Sequence, residues 1–185
     1  MTTFLRATRL LLAMTACVVS LAAQAATIPE LLFKNVAGAN ALSDNDKARI
    51  AALLPLALGP NGLIDNNEGC HEASHIAMVL RDLNGDGHPE IIVSEGNGCL
   101  YGMRGVVTHF LAADAQGNWR EILHGDGDSY DIKPAKPGTW PTILPGVMGF
   151  CYPVYDYSEA QKKYVLVKRF SDPQSPNACK NMFGQ

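Results

Sequence analysis

Residues 82–93 carry oxygen-bearing side chains at a spacing that predicts metal binding. Asp82, Asn84, Asp86 and Glu90 occupy positions 1, 3, 5 and 9 of a loop whose position 6 is a glycine. Ca²⁺ takes six to eight oxygen ligands at about 2.3–2.6 Å, and glycine at position 6 allows the sharp turn that directs these oxygens inward. The spacing therefore predicts a calcium site formed by these four side chains and the backbone carbonyl of His88.

This calcium loop, residues 82–90, differs from an EF-hand on its C-terminal side. Position 12 is Val93, where the EF-hand has a bidentate glutamate. Residues 91–93 are β-branched and predict a strand rather than a helix. We therefore expect a calcium-binding turn between two strands. Water would complete its coordination shell, and its dissociation constant would be about 10⁻⁴–10⁻³ M.

A second metal motif stands just upstream. The sequence His71-Glu72-Ala73-Ser74-His75 matches H-E-x-x-H, in which a helix presents two histidines to Zn²⁺ and the glutamate activates the bound water. The preceding residues 65–70 lack an apolar helical stripe, and in a strand Glu72 would lie opposite both histidines. The favoured interpretation is a polar strand that leads into the calcium loop. A zinc metallopeptidase remains the alternative function.

The segment 96–105 is rich in glycine and carries a tyrosine and an arginine next to a cysteine. Tyrosine and arginine are enriched at the hot spots of protein interfaces, and binding residues are concentrated on loops. Tyr101 and Arg104 are therefore candidate partner-binding residues, with a simple connecting loop as the alternative.

The first 25 residues have the pattern of a signal peptide. Arg6 and Arg9 precede an uncharged, mostly apolar run, and Ala23-Gln24-Ala25 fits a cleavage site. This pattern predicts export to the periplasm or the medium, with no membrane span in the mature protein. A membrane anchor and lipid attachment at Cys17 are the alternatives.

Composition narrows the classes of partner. The formal net charge is −3 and the charges are not clustered, which argues against binding to nucleic acid or to an anionic membrane. No convincing set of catalytic residues appears, so we expect a binding protein rather than an enzyme. The partner is expected to be a protein outside the cytoplasm.

The four cysteines beyond the signal peptide predict two disulfides, because an exported chain with an even number of cysteines usually pairs them. A hairpin in which Asp82 lies opposite Glu90 brings Cys70 and Cys99 near its open end. Exclusion then pairs Cys151 with Cys179.

The remaining pattern predicts a helical segment at residues 26–69 and a β domain at residues 70–185. Ser43 is a suitable N-cap for a helix that continues through Ile50. Short apolar runs separated by turns predict an antiparallel, mainly β fold. The predicted strands are 76–80, 91–93, 106–112, 119–123, 142–144, 149–155 and 164–170, and the last fifteen residues are expected to be coil.

The calcium loop resembles the FG-GAP-like and VCBS-like repeats of secreted β-propeller proteins. These repeats carry Asp-x-Asn/Asp-x-Asp-Gly-x-x-Asp/Glu followed by apolar strand residues, and the loop matches at each position, with Glu90 where Asp is commoner. The resemblance implies partial propeller-like sheets and bound Ca²⁺. Calcium-binding, propeller-like periplasmic proteins of this kind include inhibitors of lysozyme-like cell-wall hydrolases. The resemblance thus implies such an inhibitor or immunity protein.

Overall fold

The computed structural model describes residues 26–66, 71–101, 105–127, 129–146 and 150–184, without the side chain of residue 101. The helices in these ranges are α1 (Ile28–Phe33), α2 (Asp44–Leu53), α3 (Gly98–Tyr101) and α4 (Ala178–Phe183), with a 3₁₀ turn at Ala39–Ala41. The strands are β1 (Leu56–Gly59), β2 (Gly62–Asp65), β3 (His75–Arg81), β4 (Glu90–Gly96), β5 (Val107–Ala113), β6 (Trp119–Asp126), β7 (Tyr130–Ile132), β8 (Ile143–Pro145), β9 (Cys151–Ser158) and β10 (Lys163–Ser171).

The N-terminal segment contains a hairpin in addition to the expected helices. Ser43 caps α2 through a capping box with Asp46, as its sequence predicts. The helix ends at Leu53 because Leu54, which precedes a proline, adopts an extended conformation (ψ 144°). Strands β1 and β2 then pair antiparallel across residues 60–61, where the sequence had indicated only the end of a helix.

Two four-stranded antiparallel sheets form the rest of the molecule. The first has the order β3-β4-β5-β6, and the second has the order β10-β9-β8-β7. Each is an up-and-down meander, which is also the arrangement of strands in a propeller blade. The predicted mainly β, antiparallel fold with propeller-like sheets and an N-terminal helical segment is therefore confirmed.

The first sheet is covered on both faces. Ile91, Val93 and Leu111 belong to a core that includes Leu32 and Ile50 of the helices. On the other face the core is formed by residues of both sheets and of the calcium loop: Leu83, Phe110, Ala112, Ile122, Leu123, Ile143 and Tyr164. The helical segment and the second sheet thus lie on opposite sides of the first sheet.

Three local predictions need correction. Arg81, not Asp82, lies opposite Glu90 in the β3–β4 ladder, so the expected register is wrong by one residue. The short strand β7 was not predicted. The C-terminal residues form helix α4 instead of coil, and the disulfide Cys151–Cys179 attaches this helix to β9 as expected.

Only one cysteine of the second expected disulfide, Cys70–Cys99, lies among the described residues. Cys99 is disulfide-bonded, and Cys70 lies outside the described residues. No helix in the described ranges is long and apolar enough to cross a membrane.

Candidate functional sites

The calcium loop connects β3 to β4, and backbone amides hold its first carboxylate. Asp82 Oδ1 accepts hydrogen bonds from the amides of Gly85 (2.7 Å) and Asp86 (3.2 Å), while Oδ2 accepts one from Gly87 (2.9 Å). Gly87 has φ +87°, a conformation that favours glycine. The turn expected at loop position 6 is therefore present, and it curls the backbone around Asp82.

The other ligand candidates of the loop are linked by short contacts. Asn84 Oδ1 accepts from the amide of Asp86 (2.9 Å), and Asn84 Nδ2 donates to Asp86 Oδ2 (2.9 Å). The amide of His88 donates to Asp86 Oδ1 (2.7 Å), and the amide of Leu83 donates to Glu90 Oε2 (2.7 Å). A carboxylate oxygen has two lone pairs, so an oxygen that accepts an amide proton still has one available for a cation.

The loop carboxylates differ in their electrostatic environment. The Gly87 amide, helped by those of Gly85 and Asp86, holds the pKa of Asp82 below its usual value. Burial raises the pKa of Glu90 to about 7. The Leu83 amide opposes this rise, and the charges of Asp86 and Asp82 add to it. Glu90, only 3% exposed, is thus the loop carboxylate whose ionised form its surroundings disfavour.

The donor set of the loop suits a hard cation. It offers carboxylate, amide and carbonyl oxygens, which are the ligands that Ca²⁺ prefers. A bound Ca²⁺ would offset the negative charge around Glu90. The loop also forms one wall of a cleft of about 510 Å³, whose other walls come from α2 and the β5–β6 turn; its lining includes Asp46, Asp86, His88, Glu90, Asp114 and Trp119.

The H-E-x-x-H motif is extended rather than helical. His71 and Glu72 are exposed, Ala73 makes an isolated bridge to Ile64, and strand β3 begins at His75. The polar strand expected over the motif is therefore not formed before His75, and His71 and Glu72 lie outside β3. The helical face on which two such histidines would bind zinc is not formed.

The glycine-rich segment 96–105 contains a short helix, α3, where the sequence had predicted an irregular loop. Asn97 accepts a hydrogen bond from the amide of Leu100 (2.8 Å) and so caps this turn. A Cβ atom at Gly96 would collide with the carbonyl oxygen of Gly105, so the two ends of the loop meet at its base. The Tyr101 side chain and the whole of Arg104 lie outside the described residues.

The calcium loop and the glycine-rich loop lie at opposite ends of the first sheet. In an up-and-down meander, successive connections alternate between the two ends of the strands. The calcium loop joins β3 to β4, and segment 97–106 joins β4 to β5. The structure therefore does not bring the calcium ligands next to the predicted partner-binding residues.

A cluster of two histidines and a glutamate was not predicted. His109 on β5 lies opposite His124 on β6. His109 Nδ1 donates to Glu121 Oε1 (2.7 Å), and His124 Nδ1 lies 3.3 Å from both of these atoms. The ligand atoms of the three residues all lie within 4.8 Å of one another, a grouping suited to a metal ion.

A β-bulge explains why the sequence did not reveal this cluster. Strand alternation places residues 121 and 124 on opposite faces, because they are three positions apart. The register of β5 and β6 shifts between Phe110 and Leu111, so that Ile122 is the extra residue. Glu121 thereby joins the face that carries both histidines. The sequence did contain a signal that the two histidines would pair: His109 and His124 are placed almost symmetrically about the turn at 114–118.

Charge stabilises the cluster internally. Burial raises the pKa of Glu121, but the hydrogen bonds from His109 and His124 outweigh burial and lower this pKa to about 2. The hydrogen bond to Glu121 raises the pKa of His124, against the effect of burial. Glu121 is therefore a carboxylate over most of the pH range and can serve as an anionic ligand.

Comparisons with known proteins return no match: no protein-family model, no curated protein and no solved structure matches this chain. The geometry of the sites themselves is the basis for a functional proposal.

Proposed function

We propose that the protein is exported and binds another protein outside the cytoplasm, with Ca²⁺ as a structural ion. The partner is a lysozyme-like cell-wall hydrolase, which the protein inhibits. The observation that carries this proposal is the closed base of the glycine-rich loop, where the backbones of Gly96 and Gly105 meet. A loop whose ends lie close together is a compact unit of the kind that frequently carries function.

Additional contacts order the N-terminal part of this loop, residues 97–100. Asn97 is 6% exposed, caps α3 and also donates to Ser74 Oγ (3.4 Å). Cys99, inside α3, is disulfide-bonded. A loop that is ordered before binding loses little conformational entropy on docking, which is how a small inhibitor attains high affinity.

A calcium ion in the calcium loop, at the other end of the first sheet, would support this function by stabilising the fold. The amide of Gly138 donates to the carbonyl oxygen of Asn84 (2.6 Å), so the calcium loop contacts the segment that precedes β8 of the second sheet. Leu83 also belongs to the core shared by the two sheets. An ion in this loop would therefore stabilise the scaffold without contacting the partner.

The test is inhibition of cell-wall lysis by lysozyme-like hydrolases, measured by turbidity together with direct binding. Replacing both Tyr101 and Arg104 with alanine should weaken binding by roughly 1–4 kcal/mol if they are hot spots. The matched control is Lys168→Ala, an exposed position on the second sheet. Equal binding by the double variant and the wild type would remove the loop from the interface. Absence of any extracytoplasmic protein partner would contradict the proposal.

The alternative of a zinc metallopeptidase has its own test. Glu72→Gln should leave any activity intact, since the segment that contains it is extended. Proteolysis by the wild type that is lost in Glu72→Gln, by about 10²–10⁴ in rate, would favour the enzyme instead.

A further inference from the structure

Two of the three distances among the ligand atoms of His109, Glu121 and His124 match those of a tetrahedral metal site, and the third is shorter. The Nδ1 atoms of the two histidines are 3.3 Å apart, and Glu121 Oε1 lies 2.7 Å and 3.3 Å from them. Zinc binds imidazole nitrogen and carboxylate oxygen at about 2.0–2.2 Å, which separates tetrahedral ligands by roughly 3.4 Å. A point about 2.1 Å from all three atoms lies roughly 1 Å out of their plane. The side chains therefore need little movement to hold the ion.

The proton balance of the cluster also favours a cation. A carboxylate can only accept hydrogen bonds, so without metal the Nδ1 atom of His109 must carry a proton toward Glu121. A divalent cation replaces the protons that lie between the three ligand atoms. His109 Nε2 is buried and has no hydrogen-bond partner among the described residues. Metal ligation at Nδ1 leaves the proton on Nε2, and the opposite nitrogen of a metal-bound imidazole usually donates to a carboxylate.

A buried carboxylate lies on the neighbouring strand. Glu95 of β4 lies on the same face as His109, two ladder positions away in the register, because Val93 pairs with His109 and Glu95 with Val107. Glu95 is fully buried. Its negative charge also acts on His124. Glu95 thus adds a buried negative charge near the cluster.

The cluster combines a rigid buried ligand with an open side. The side chain of His109 is 3% exposed, whereas those of Glu121 and His124 are 38% and 55% exposed. Metal ions can therefore enter from solvent, and a water molecule can take the fourth position. Two imidazoles and one carboxylate suit Zn²⁺ and do not suit Ca²⁺, which takes oxygen ligands.

We propose that His109, Glu121 and His124 form a binding site for Zn²⁺, with a water molecule as the fourth ligand. The site lies at the middle of the first sheet, where His109 pairs with Val93 on one side and with His124 on the other. It uses neither histidine of the H-E-x-x-H motif. The proposal is independent of the proposed function, since zinc binding can be measured without a partner.

The test is titration of the chelator-treated protein with Zn²⁺ by calorimetry, in saturating Ca²⁺ so that the calcium loop is filled. We expect one zinc site per chain. His124→Ala should weaken its affinity at least about 100-fold, because loss of even an outer-shell partner costs 10–100-fold. Glu121→Gln keeps the size of the side chain and should also weaken zinc binding. Co²⁺ should give the intense visible absorption of a tetrahedral site in the wild type and not in these variants.

Two matched controls separate this site from the upstream motif. His75→Ala and Glu72→Gln should bind zinc as the wild type does. Circular dichroism in chelator should show that His124→Ala and Glu121→Gln remain folded. Zinc binding that disappears in His75→Ala and persists in His124→Ala would overturn the proposal. The absence of any stoichiometric zinc binding by the wild type would overturn it as well.

Discussion

At the scale of residues, Asp82 and Glu90 have opposite electrostatic properties within one loop. Three backbone amides surround Asp82 and favour its ionised form, whereas burial of Glu90 outweighs its amide donors and disfavours the ionised form. The sequence predicts both as equivalent calcium ligands because spacing alone cannot show which carboxylates the backbone already stabilises. A cation should therefore change the environment of Glu90 more than that of Asp82.

Asp82→Asn should abolish the stabilisation of the protein by calcium. For a dissociation constant of about 10⁻⁴–10⁻³ M, 10 mM Ca²⁺ should stabilise the wild type by roughly 1.4–2.7 kcal/mol. Thermal melts with and without calcium measure this difference. The control is Glu159→Gln, which alters an exposed pair with Lys162 and should retain the full calcium response. A wild type that gains no stability at 10 mM Ca²⁺ would contradict the predicted site.

The pKa of Glu90 predicts how the stability of the calcium-free protein depends on pH. Because this pKa is raised from 4.5 to about 7 in the folded state, the folded protein binds more protons than the unfolded chain between these values. The free energy of unfolding should therefore fall as pH rises through this window, by an amount on the order of 2 kcal/mol. Urea unfolding at pH 5 and pH 7.5 in chelator measures it. Glu90→Gln should lose this decline, and an equal decline in that variant would assign it to another group.

At the scale of elements, regular alternation was predictable and its interruptions were not. The seven predicted strands all appear, most with ends shifted by a few residues, because they are short apolar runs bounded by turn residues. Side chains alternate between the two faces of a regular strand. The bulge at Ile122 interrupts this alternation, and so Glu121 could not be grouped with His109 and His124 from sequence. Strand β7 has only three residues, too few to show a pattern.

The C-terminal helix shows how a covalent bond can determine an element. Helix α4 has six residues, and isolated helices of this length are not stable in water. The Cys151–Cys179 disulfide attaches it to β9, and Arg169 of β10 lies 4.4 Å from the centroid of the Phe183 ring. Tertiary contacts of this kind are not visible in local sequence, which explains the prediction of coil.

Replacing both Cys151 and Cys179 with serine should destabilise the protein by about 3–4 kcal/mol in the chain-entropy model, given a separation of 28 residues. Denaturant unfolding of the oxidised proteins measures the loss. Hydrogen exchange should show that the amides of α4 lose protection first. Unchanged protection in α4 would mean that its packing on β9 and β10 is sufficient without the disulfide.

At the scale of the whole molecule, the first sheet is the middle one of three layers, between the helical segment and the second sheet. Trp119 of β6 donates from Nε1 to Asp46 Oδ1 of α2 (3.0 Å), and Arg49 of α2 donates to the carbonyl oxygen of Gly117 (3.1 Å). The helical layer is thus hydrogen-bonded to the same hairpin whose opposite face packs on the second sheet. Hydrophobic periodicity predicts layers but not which pairs of polar groups join them, and neither hydrogen bond was predicted.

The shared core predicts that the layers unfold together. The chain has two tryptophans, and they report on different interfaces: Trp119 contacts α2, whereas Trp140 stacks on Tyr157 with ring centroids 4.3 Å apart. Trp119→Phe and Trp140→Phe therefore leave one fluorescent probe each. Phe110 is fully buried between the two sheets, which should make them unfold together. In each variant, the denaturation midpoint measured by the remaining tryptophan should therefore equal the midpoint measured by circular dichroism.

Phe110→Ala tests the same coupling by mutation. In each single-tryptophan background it should lower the free energy of unfolding by about 3–5 kcal/mol, because it leaves a cavity in the core that both sheets share. The control is Val167→Ala on β10, where the side chain is 48% exposed and the loss should be much smaller. If Phe110→Ala moved the transition of only one tryptophan, the two sheets would be separate cooperative units. A calcium ion bound at one end of the first sheet could then stabilise the second only through the direct contact between Asn84 and Gly138.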